Sequence, residues 1–449
     1  MKKIYFIGIG GIGMSALARF YLKKGNQVFG SDLVASEITK KLKEEGAKIY
    51  IGPQNGKFLS LDFDLVIYSP AIFKSHPELK KAKKLSLKTL SYPQALGEII
   101  KNYFSIAIAG THGKSTTTAL VSLILIKGGF DPNVIIGTKL KEFGDSNCRV
   151  GRSNYFVFEA DEWRASFLNY FPKVIILTNI EKEHLDYYKN LNQILKTFKK
   201  FVKHLPKNGF LIVNRDDKNL KEFIKIFKKR TNVLSYSLKQ KEAKILKKIL
   251  KIPGDFNVSN ALAALTLARL LKIPDILSFK ALSEYKGAWR RFQEEKIEIF
   301  GKKIILINDY AHHPTEIKVT LKAIREKYPS KKIYCIFQPH QYQRTYFLYE
   351  DFLKTFSKVP IDVLILTEIY EVKGRENLKI KKKISSKNLA KEIESKKRKN
   401  LKEIKYFSNF KEIAEFLKRK IKNGDVLIIM GAGDIYQFNF YLKPSKKPL

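Results

Sequence analysis

The chain has 449 residues, 44% of them hydrophobic, which is enough for about three domains with buried cores. Its 85 Lys and Arg residues outnumber 43 Asp and Glu residues and give a net charge of +42, but they are spread along the chain without a nucleic-acid-binding signature. We therefore expect solvated lysine faces and no specific nucleic-acid partner. The two cysteines lack metal or redox spacing, which excludes a disulfide scaffold and favours a cytoplasmic protein.

The chain opens with a strand that runs into a glycine-rich loop. The apolar run from Lys3 to Ile9 overlaps Gly8-Ile9-Gly10-Gly11-Ile12-Gly13, and Met14 to Leu22 is predicted to form a helix that ends near Gly25. Asp32 closes the next predicted strand, where a dinucleotide-binding loop has its acidic partner. Because this geometry receives any pyrophosphate, it predicts a diphosphate site and does not by itself indicate NAD.

A signal peptide is the alternative reading of this stretch. Lys2-Lys3 precedes the apolar run, and Ser15-Ala16-Leu17-Ala18 resembles a cleavage site. Four glycines within the apolar core and the acidic partner downstream favour the folded loop. No stretch of about 18 unbroken apolar residues occurs, so we expect no membrane span.

A second loop of this kind follows the apolar run from Phe104 to Ala109. It reads Gly110-Thr111-His112-Gly113-Lys114-Ser115-Thr116 and precedes a predicted helix over 117–126. Backbone N–H groups and the positive end of the helix would bind an anion here. Lys114 would reach the terminal phosphates of a nucleotide, and the Ser115 hydroxyl would bind the bridging magnesium. The loop is a short form of the usual signature, because Ile108 stands where a glycine is expected.

Acidic residues follow two later strands. Glu159-Ala160-Asp161-Glu162 comes after the strand from Tyr155 to Phe158, and Glu181 to Asp186 follows the strand that ends at Leu177. Both sets lie at the carboxyl ends of predicted parallel strands, so Glu159 and His184 are candidate magnesium ligands. The alternative, surface acids that cap a following helix, applies to three residues: Glu162, Glu181 and Glu183.

Strands alternate with helices through the rest of the chain and predict parallel sheets that are covered on both faces. The further predicted strands are Leu65 to Tyr68, Val174 to Leu177, Phe210 to Val213, Lys303 to Ile307, Lys332 to Phe337, Val363 to Leu366 and Val426 to Met430. Domain joints are expected near Tyr92-Pro93 and Tyr285-Lys286-Gly287. The lysine-rich stretch 379–405 is either a helix with a charged face or a surface insertion.

Three motifs resemble those of the Mur ligases of peptidoglycan synthesis. They are the second loop (110–116), the run from Glu159 to Glu162, and Thr178-Asn179-Ile180-Glu181 with His184. Further similar runs extend to the end of the chain: 256–261, 290–293, 309–316, 337–340 and 430–435. The resemblance implies an α/β protein of three domains. These are a Rossmann-like UDP-sugar-binding domain (1–95), a P-loop ATPase-like ATP-binding domain (96–286) and a Rossmann-like amino-acid-binding domain (287–449).

The implied activity is ATP-dependent, Mg²⁺-assisted ligation of L-alanine to the lactyl carboxylate of UDP-N-acetylmuramate through an acyl phosphate. The alternatives are a recycling ligase that joins a peptide to the same sugar nucleotide and a nucleotide-dependent oxidoreductase. A basic ATP-dependent nucleic-acid-binding protein would explain the charge but not the first loop.

The resemblance also implies roles for individual residues. Catalysis is assigned to Lys114, His184, Arg291 and His313, and the metal to Ser115, Glu159 and His184. ATP is assigned to Gly110, Thr111, His112, Gly113, Lys114, Ser115, Thr116, Asn257, Asn260, Arg291 and Asp309. The UDP-sugar is assigned to Gly8, Gly10, Gly11, Gly13, Asp32 and Ser69, and the amino acid to His312, His340 and Arg344.

Four positions depart from the family pattern. Trp163-Arg164 stands where a serine and an aspartate are common, which removes an acid and adds a cation near the expected metal. Ser115 replaces the usual threonine and keeps the hydroxyl. Gln341 replaces an arginine, so Arg344 alone is expected to anchor the carboxylate of the amino acid.

Overall fold

The computed structural model describes residues 1–372, 376–396 and 401–442, which pack as two compact units. The first unit comprises residues 1–182, 191–249 and 259–285, and the second comprises residues 183–190, 250–258 and 286–449. The predicted boundaries at 95/96 and 286/287 remain a proposal, since these units do not test a division into three domains.

The first unit contains a five-stranded, wholly parallel sheet in the order β3-β2-β1-β4-β5. Its strands are β1 (Lys3–Ile7), β2 (Gln27–Asp32), β3 (Lys48–Ile51), β4 (Leu65–Tyr68) and β5 (Thr89–Ser91). Its helices are α1 (Ile12–Lys23), α2 (Glu37–Glu44), α3 (Pro77–Lys84) and α4 (Tyr92–Ile100). The strand order reverses at β1, so the carboxyl end of β1 opens into the crevice where such sheets bind ligands.

The same unit contains a seven-stranded sheet in the order β12-β11-β10-β6-β9-β7-β8. Its strands are β6 (Phe104–Ala109), β7 (Asn133–Leu140), β8 (Ser146–Arg149), β9 (Tyr155–Glu159), β10 (Val174–Leu177), β11 (Phe210–Asn214) and β12 (Asn232–Tyr236). Its helices are α5 (Lys114–Lys127), α6 (Leu191–Val202), α7 (Lys221–Phe227), α8 (Lys241–Ile249), α9 (Asp255–Leu270, whose first four residues belong to the second unit) and α10 (Asp275–Glu284). Short 3-10 segments occupy Lys141–Phe143 and Trp163–Asn169.

A buried polar clamp joins the two sheets of the first unit. The Arg19 guanidinium on α1 pairs with Glu45 at 2.6 Å and donates to the Asn147 side chain on β8 at 2.6 Å. Asn147 in turn donates to the Ile12 carbonyl in the first turn of α1 at 2.7 Å. Because buried polar groups need partners, this clamp fixes the start of α1 against the second sheet.

The second unit contains a six-stranded sheet in the order β13-β14-β18-β15-β16-β17. Its strands are β13 (Gln293–Ile299), β14 (Lys302–Asp309), β15 (Ile333–Phe337), β16 (Val363–Leu366), β17 (Glu403–Tyr406) and β18 (Val426–Met430). Its helices are α11 (Pro314–Lys327), α12 (Tyr342–Phe347), α13 (Tyr349–Phe356), α14 (Leu378–Lys381), α15 (Ser386–Lys396), α16 (Phe410–Lys420) and α17 (Asn439–Leu442), with a 3-10 segment at Asp434–Phe438. Alternate residues of the strands fill separate cores on the two faces of this sheet.

The α/β prediction is confirmed, with two additions. The pairs β7–β8 and β13–β14 are antiparallel edges, which the sequence reading did not anticipate. The run 293–299 is mostly charged because one side of an edge strand faces solvent, and it therefore lacks the continuous apolar pattern of a central parallel strand. In the lysine-rich stretch, α14 and α15 are separated by a turn, and residues 397–400 lie outside the described part.

Candidate functional site

The first glycine loop is held in shape by Asp32. Gly8 has a φ of +77°, and its N–H donates to the Ser31 carbonyl at 2.9 Å. The N–H of Gly10 donates to Asp32 Oδ2 at 2.8 Å. Gly11 is the N-cap of α1, so the positive end of this helix opens at the loop. The structure therefore gives Asp32 a contact with the loop itself, while its contact with the UDP-sugar remains a prediction.

Neighbouring chain segments pack closely on this loop. A Cβ added to Gly8 would lie 3.3 Å from Ser69 Cβ, and one added to Gly13 would lie 3.0 Å from the Tyr92 ring. The Ser69 N–H donates to the Ile7 carbonyl at 3.1 Å. The structure thus brings the predicted UDP-sugar residues together at the end of β1, and a side chain at Gly8 or Gly13 would require these neighbours to shift.

The second loop follows β6, the strand between β10 and β9, and residues that follow β10 hydrogen-bond to it. The N–H groups of Thr111 and His112 donate to the backbone and side-chain oxygens of Asn179, at 3.0 and 2.9 Å. The Thr178 hydroxyl donates to the His112 carbonyl at 2.7 Å. Gly113, with a φ of +82°, is the N-cap of α5. These bonds fix the loop so that the start of α5 forms an anion-binding end.

Asn260 packs against this loop. A Cβ at Gly113 would collide with the Asn260 carboxamide, so glycine is required there. Asn257 belongs to the second unit, and its side chain donates to the Pro253 carbonyl at 2.7 Å. Contact of either asparagine with adenine remains a prediction.

Lys114 is held over its own loop. Its ammonium donates to the carbonyls of Gly110 and Thr111 at 2.7 and 3.1 Å, and pairs with Glu162 Oε2 at 2.9 Å. Burial alone would lower the pKa of Lys114, but the carboxylates, chiefly Glu162, raise it above its ordinary value. The residue predicted to meet phosphate is thus a charged group with a fixed position.

The interpretation of Glu162 and Glu183 as surface acids is wrong. Glu162 is only 2% exposed, and Glu183 only 7%. Each pairs with a cation that lies far away in sequence, Lys114 and Arg344 respectively. Burying a carboxylate requires such compensation, and single-sequence reasoning could not identify the partners.

Ser115 and Glu159 place two oxygen atoms side by side that could bind a metal ion. The Ser115 hydroxyl donates to Glu159 Oε2 at 3.1 Å, while Glu159 Oε1 accepts the Gly137 N–H at 2.6 Å. A hydroxyl beside a carboxylate suits Mg²⁺, which prefers hard oxygen ligands. His184 is part of the second unit and has a φ of +54°. Its role as a metal ligand remains a prediction.

In the second unit, Asp309 organises the chain around Arg291. Its carboxylate accepts the N–H groups of Phe292 and Ala311 at 2.8 and 2.9 Å. Burial raises the pKa of Asp309 to about 6. The Arg291 guanidinium lies 4.6 Å from the centre of the Tyr310 ring. The predicted contacts of Asp309 and Arg291 with ATP are not tested by these bonds.

The residues predicted to bind the amino acid, His312, His340 and Arg344, lie with Glu183 and His313 in what we term the Glu183–Arg344 cluster. Arg344 Nε and Nη2 both contact Glu183 Oε1 at 2.9 Å. Its Nη1 donates to the His340 carbonyl at 3.0 Å and lies 2.9 Å from His340 Nδ1. The sequence reading missed Glu183, and the structure shows that its carboxylate already occupies the Nε–Nη2 edge of Arg344.

Burial controls protonation in this cluster. It lowers the pKa of His312 to about 4, and that of His340 well below its ordinary value. Burial would raise the pKa of Glu183, but Arg344 holds it well below its usual range. His313 is the N-cap of α11; its Nδ1 accepts the Thr315 N–H at 3.2 Å, and its Nε2 lies 3.9 Å from Glu183 Oε2. The cluster at neutral pH is therefore an ion pair beside neutral His312 and His340 rings.

Comparisons with known proteins match almost the whole chain. Residues 3–104 match the Mur ligase family, catalytic domain, residues 108–268 the Mur ligase middle domain, and residues 290–433 the Mur ligase, glutamate ligase domain. Among the described residues, helices are too short or too polar to cross a membrane.

The chain is similar to curated proteins named UDP-N-acetylmuramate--L-alanine ligase. That of Clostridium novyi is 41% identical and that of Clostridium acetobutylicum 40%, each over 97% of this chain and 96% of the relative. The crystal structure of UDP-N-acetylmuramate-alanine ligase MurC from Thermotoga maritima superposes with a TM-score of 0.80, at 26% identity over 98% of each chain. A murein peptide ligase from Psychrobacter arcticus shares the fold, with a TM-score of 0.69. The chain belongs to the Mur ligase family.

Proposed function

We propose that this chain joins L-alanine to the lactyl carboxylate of UDP-N-acetylmuramate at the expense of ATP, as a step of peptidoglycan precursor synthesis. The observation that carries the proposal is the full-length similarity, at about 40% identity, to proteins that bear this activity in their names. The two glycine loops of the first unit support it, since each opens at the start of a helix and suits an anionic ligand.

In this proposal the first loop holds the sugar nucleotide. The N–H groups of the Gly8–Gly13 loop and the start of α1 would face its diphosphate, with Ser69 alongside. The Arg19–Asn147 clamp supports a fixed position of this loop relative to the second sheet. A fixed loop would present the lactyl carboxylate to ATP without the entropic cost of ordering flexible segments first.

The second loop would hold ATP, with Lys114 on its phosphates. Ser115 and Glu159, together with His184, would hold Mg²⁺, which supplies charge neutralisation at the phosphates. An oxygen of the lactyl carboxylate attacks the terminal phosphorus, and ADP leaves. The amine of L-alanine then attacks the carbonyl carbon of the acyl phosphate, and inorganic phosphate leaves as the amide forms. Lys114 and Arg291 would stabilise the charge that develops at the phosphoryl group.

The second unit would receive the amino acid at the Glu183–Arg344 cluster. His312, His340 and Arg344 lie together there, and His313 adjoins Glu183. The division into domains 1–95, 96–286 and 287–449 is part of the same proposal. We also infer a cytoplasmic location, which the free and buried Cys148 and Cys335 support.

A phosphate-release assay tests the proposal. The enzyme is incubated with ATP, Mg²⁺, UDP-N-acetylmuramate and each amino acid in turn. We expect phosphate only when both acceptor and amino acid are present, with L-alanine preferred over glycine and L-serine. ATP hydrolysis at the same rate without acceptor would contradict a ligase. Preference for the peptide L-alanyl-γ-D-glutamyl-meso-diaminopimelate over L-alanine would favour the recycling ligase instead.

A further inference from the structure

The segment that follows Glu162 has an unusual backbone. Arg164 and Ala165 have φ values of +49° and +54°, a left-handed conformation that is unfavourable by about 1 kcal/mol or more for each non-glycine residue. Two bonds hold it: the Ala165 N–H donates to the Glu162 carbonyl at 2.9 Å, and the Phe167 N–H to the Asp161 carbonyl at 3.1 Å. Strain that is kept in place next to a functional segment points to a role for the residue so positioned.

The strained turn directs Arg164 to one place. Its guanidinium lies over the ring of buried Trp163, 4.7 Å from the ring centre, and Nη1 donates to the Pro70 carbonyl at 3.2 Å. Within the described residues, Nε and Nη2 make no hydrogen bond, and the residue is exposed. Stacking and one hydrogen bond thus hold the planar group while leaving donors for a ligand.

Arg164 adjoins chain segments that contact each of the two glycine loops of the first unit. On one side, Pro70 follows Ser69, which packs against Gly8 of the first loop. On the other side, Glu162 is two residues before Arg164 and pairs with Lys114 of the second loop. In the proposed function, the sugar nucleotide has its diphosphate on the first loop and its carboxylate directed at ATP on the second loop, and the segments beside Arg164 contact both loops.

The charges around Arg164 also favour a carboxylate as its ligand. Of the three acids in this segment, Glu162 is paired with Lys114 and Glu159 is assigned to the metal, while Asp161 is exposed and repels an approaching carboxylate. An arginine offers two parallel N–H donors to a carboxylate and offsets this repulsion. The diphosphate, in contrast, already has the N–H groups of the first loop and the start of α1.

We propose that Arg164 is a specificity-determining residue that binds the lactyl carboxylate of the acceptor. This inference rests on the proposed function. It gives a role to the Trp163-Arg164 departure from the family pattern, in which Trp163 orients the guanidinium and Arg164 supplies the charge.

Titration calorimetry with two sugar nucleotides tests the proposal. UDP-N-acetylmuramate has the carboxylate, and UDP-N-acetylglucosamine lacks the whole lactyl group. We expect Arg164→Gln to weaken binding of the first by about ten- to a hundredfold and to leave binding of the second within about twofold. Arg152→Gln is the matched control, because Arg152 is an exposed arginine of the same unit that lies beside Asp131. It should change neither affinity.

A second variant separates charge from folding. Arg164→Gly removes the guanidinium and also relieves the left-handed strain, so it should show the same selective loss while the urea midpoint stays equal to or above that of wild type. Equal losses for both sugar nucleotides would assign the contact to the diphosphate and overturn the proposal. Unchanged affinity for UDP-N-acetylmuramate would also overturn it. If wild type binds neither compound, the proposed function itself fails.

Discussion

The second glycine loop (110–116) and the Glu183–Arg344 cluster each hold a buried cation, but they hold it in different ways. In each, a buried carboxylate pairs with the cation that was expected to face substrate: Glu162 with Lys114 and Glu183 with Arg344. Lys114 belongs to a continuous loop whose carbonyls also bind it. The cluster instead joins three segments that are far apart in sequence. The two carbonyl partners of Lys114 are therefore close to it in sequence, while the partners of Arg344 in the cluster include Glu183, which is 161 residues away.

This difference affects what each cation can do. Lys114 keeps two carbonyl partners when its ammonium moves from Glu162 towards a phosphate, so the ammonium stays hydrogen-bonded. Arg344 has its Nε–Nη2 edge on Glu183 and Nη1 on His340. It has less capacity for a second carboxylate than a lone arginine would have. Substrate binding should thus perturb the cluster more than the loop.

The largest effect should come from breaking the ion pair of the cluster. Glu183→Gln leaves the Arg344 charge buried without its carboxylate, and we expect about 3–5 kcal/mol of lost stability in urea unfolding. Glu326→Gln, which breaks the exposed Lys322–Glu326 pair, is the control and should cost less than about 1 kcal/mol. If the two variants lose equal stability, the cluster does not depend on this pair.

At the loop, the main effect should be on rate. Lys114→Ala removes a charge directed at phosphate, and phosphate release should slow by about 10²- to 10³-fold. Lys127→Ala, at the other end of α5, removes a lysine paired with Glu284 and should leave the rate within about twofold. Urea midpoints identify any part of the loss that comes from leaving Glu162 unpaired. Retention of more than a tenth of the activity by Lys114→Ala would contradict this role.

The pH dependence of stability should reveal two opposing groups in the second unit. The pKa of Asp309 is raised from 3.8 to about 6, so its contribution to stability falls as pH rises through this range. The pKa of His312 is lowered from 6.5 to about 4, so its contribution rises over nearly the same range. Each amounts to about 3 kcal/mol, and in wild type they nearly cancel.

Single substitutions should expose each contribution. Between pH 4.5 and 6.5, the free energy of unfolding of Asp309→Asn should increase with pH, whereas that of His312→Gln should decrease. Urea titrations at three pH values measure both slopes. Slopes of the same sign in the two variants would mean that at least one of these groups is not buried as described.

The smallest effect concerns Gln341, the N-cap residue of α12, the helix that carries Arg344 of the cluster. Because Glu183 occupies the Nε–Nη2 edge of Arg344, a second arginine should help to bind the carboxylate of the amino acid. We expect Gln341→Arg to lower the Michaelis constant for L-alanine by about tenfold and to leave that for ATP unchanged. Gln343→Arg adds the same charge two residues away and should have little effect. A raised constant in Gln341→Arg would mean that the pocket is built around glutamine.

The sequence was sufficient for features that rest on local pattern. Buried strands such as β4, β10 and β18 begin and end where the apolar runs do, since a parallel strand covered on both faces is continuously apolar. Both glycine loops and Asp32 were identified from spacing. The gathering of His312, His340 and Arg344 followed only from family resemblance.

Long-range pairing was not predictable in the same way. Glu162, Glu183 and Asn147 carry no local mark of burial, because a polar residue is buried only when a distant partner satisfies it. The left-handed turn at Arg164 was also missed, since only glycine signals such a conformation reliably in sequence. The antiparallel edge β13 was hidden by its charged residues.

The second unit is not a continuous piece of chain. It takes in residues 183–190 and 250–258 as well as the segment that begins at Lys286, so the chain passes between units five times. A gene split at the last crossing would yield a carboxyl-terminal fragment without Glu183, and Arg344 would lose its carboxylate. An exchange of this segment between relatives, made to change amino-acid preference, should therefore succeed only when residues 183–190 and 250–258 are exchanged as well.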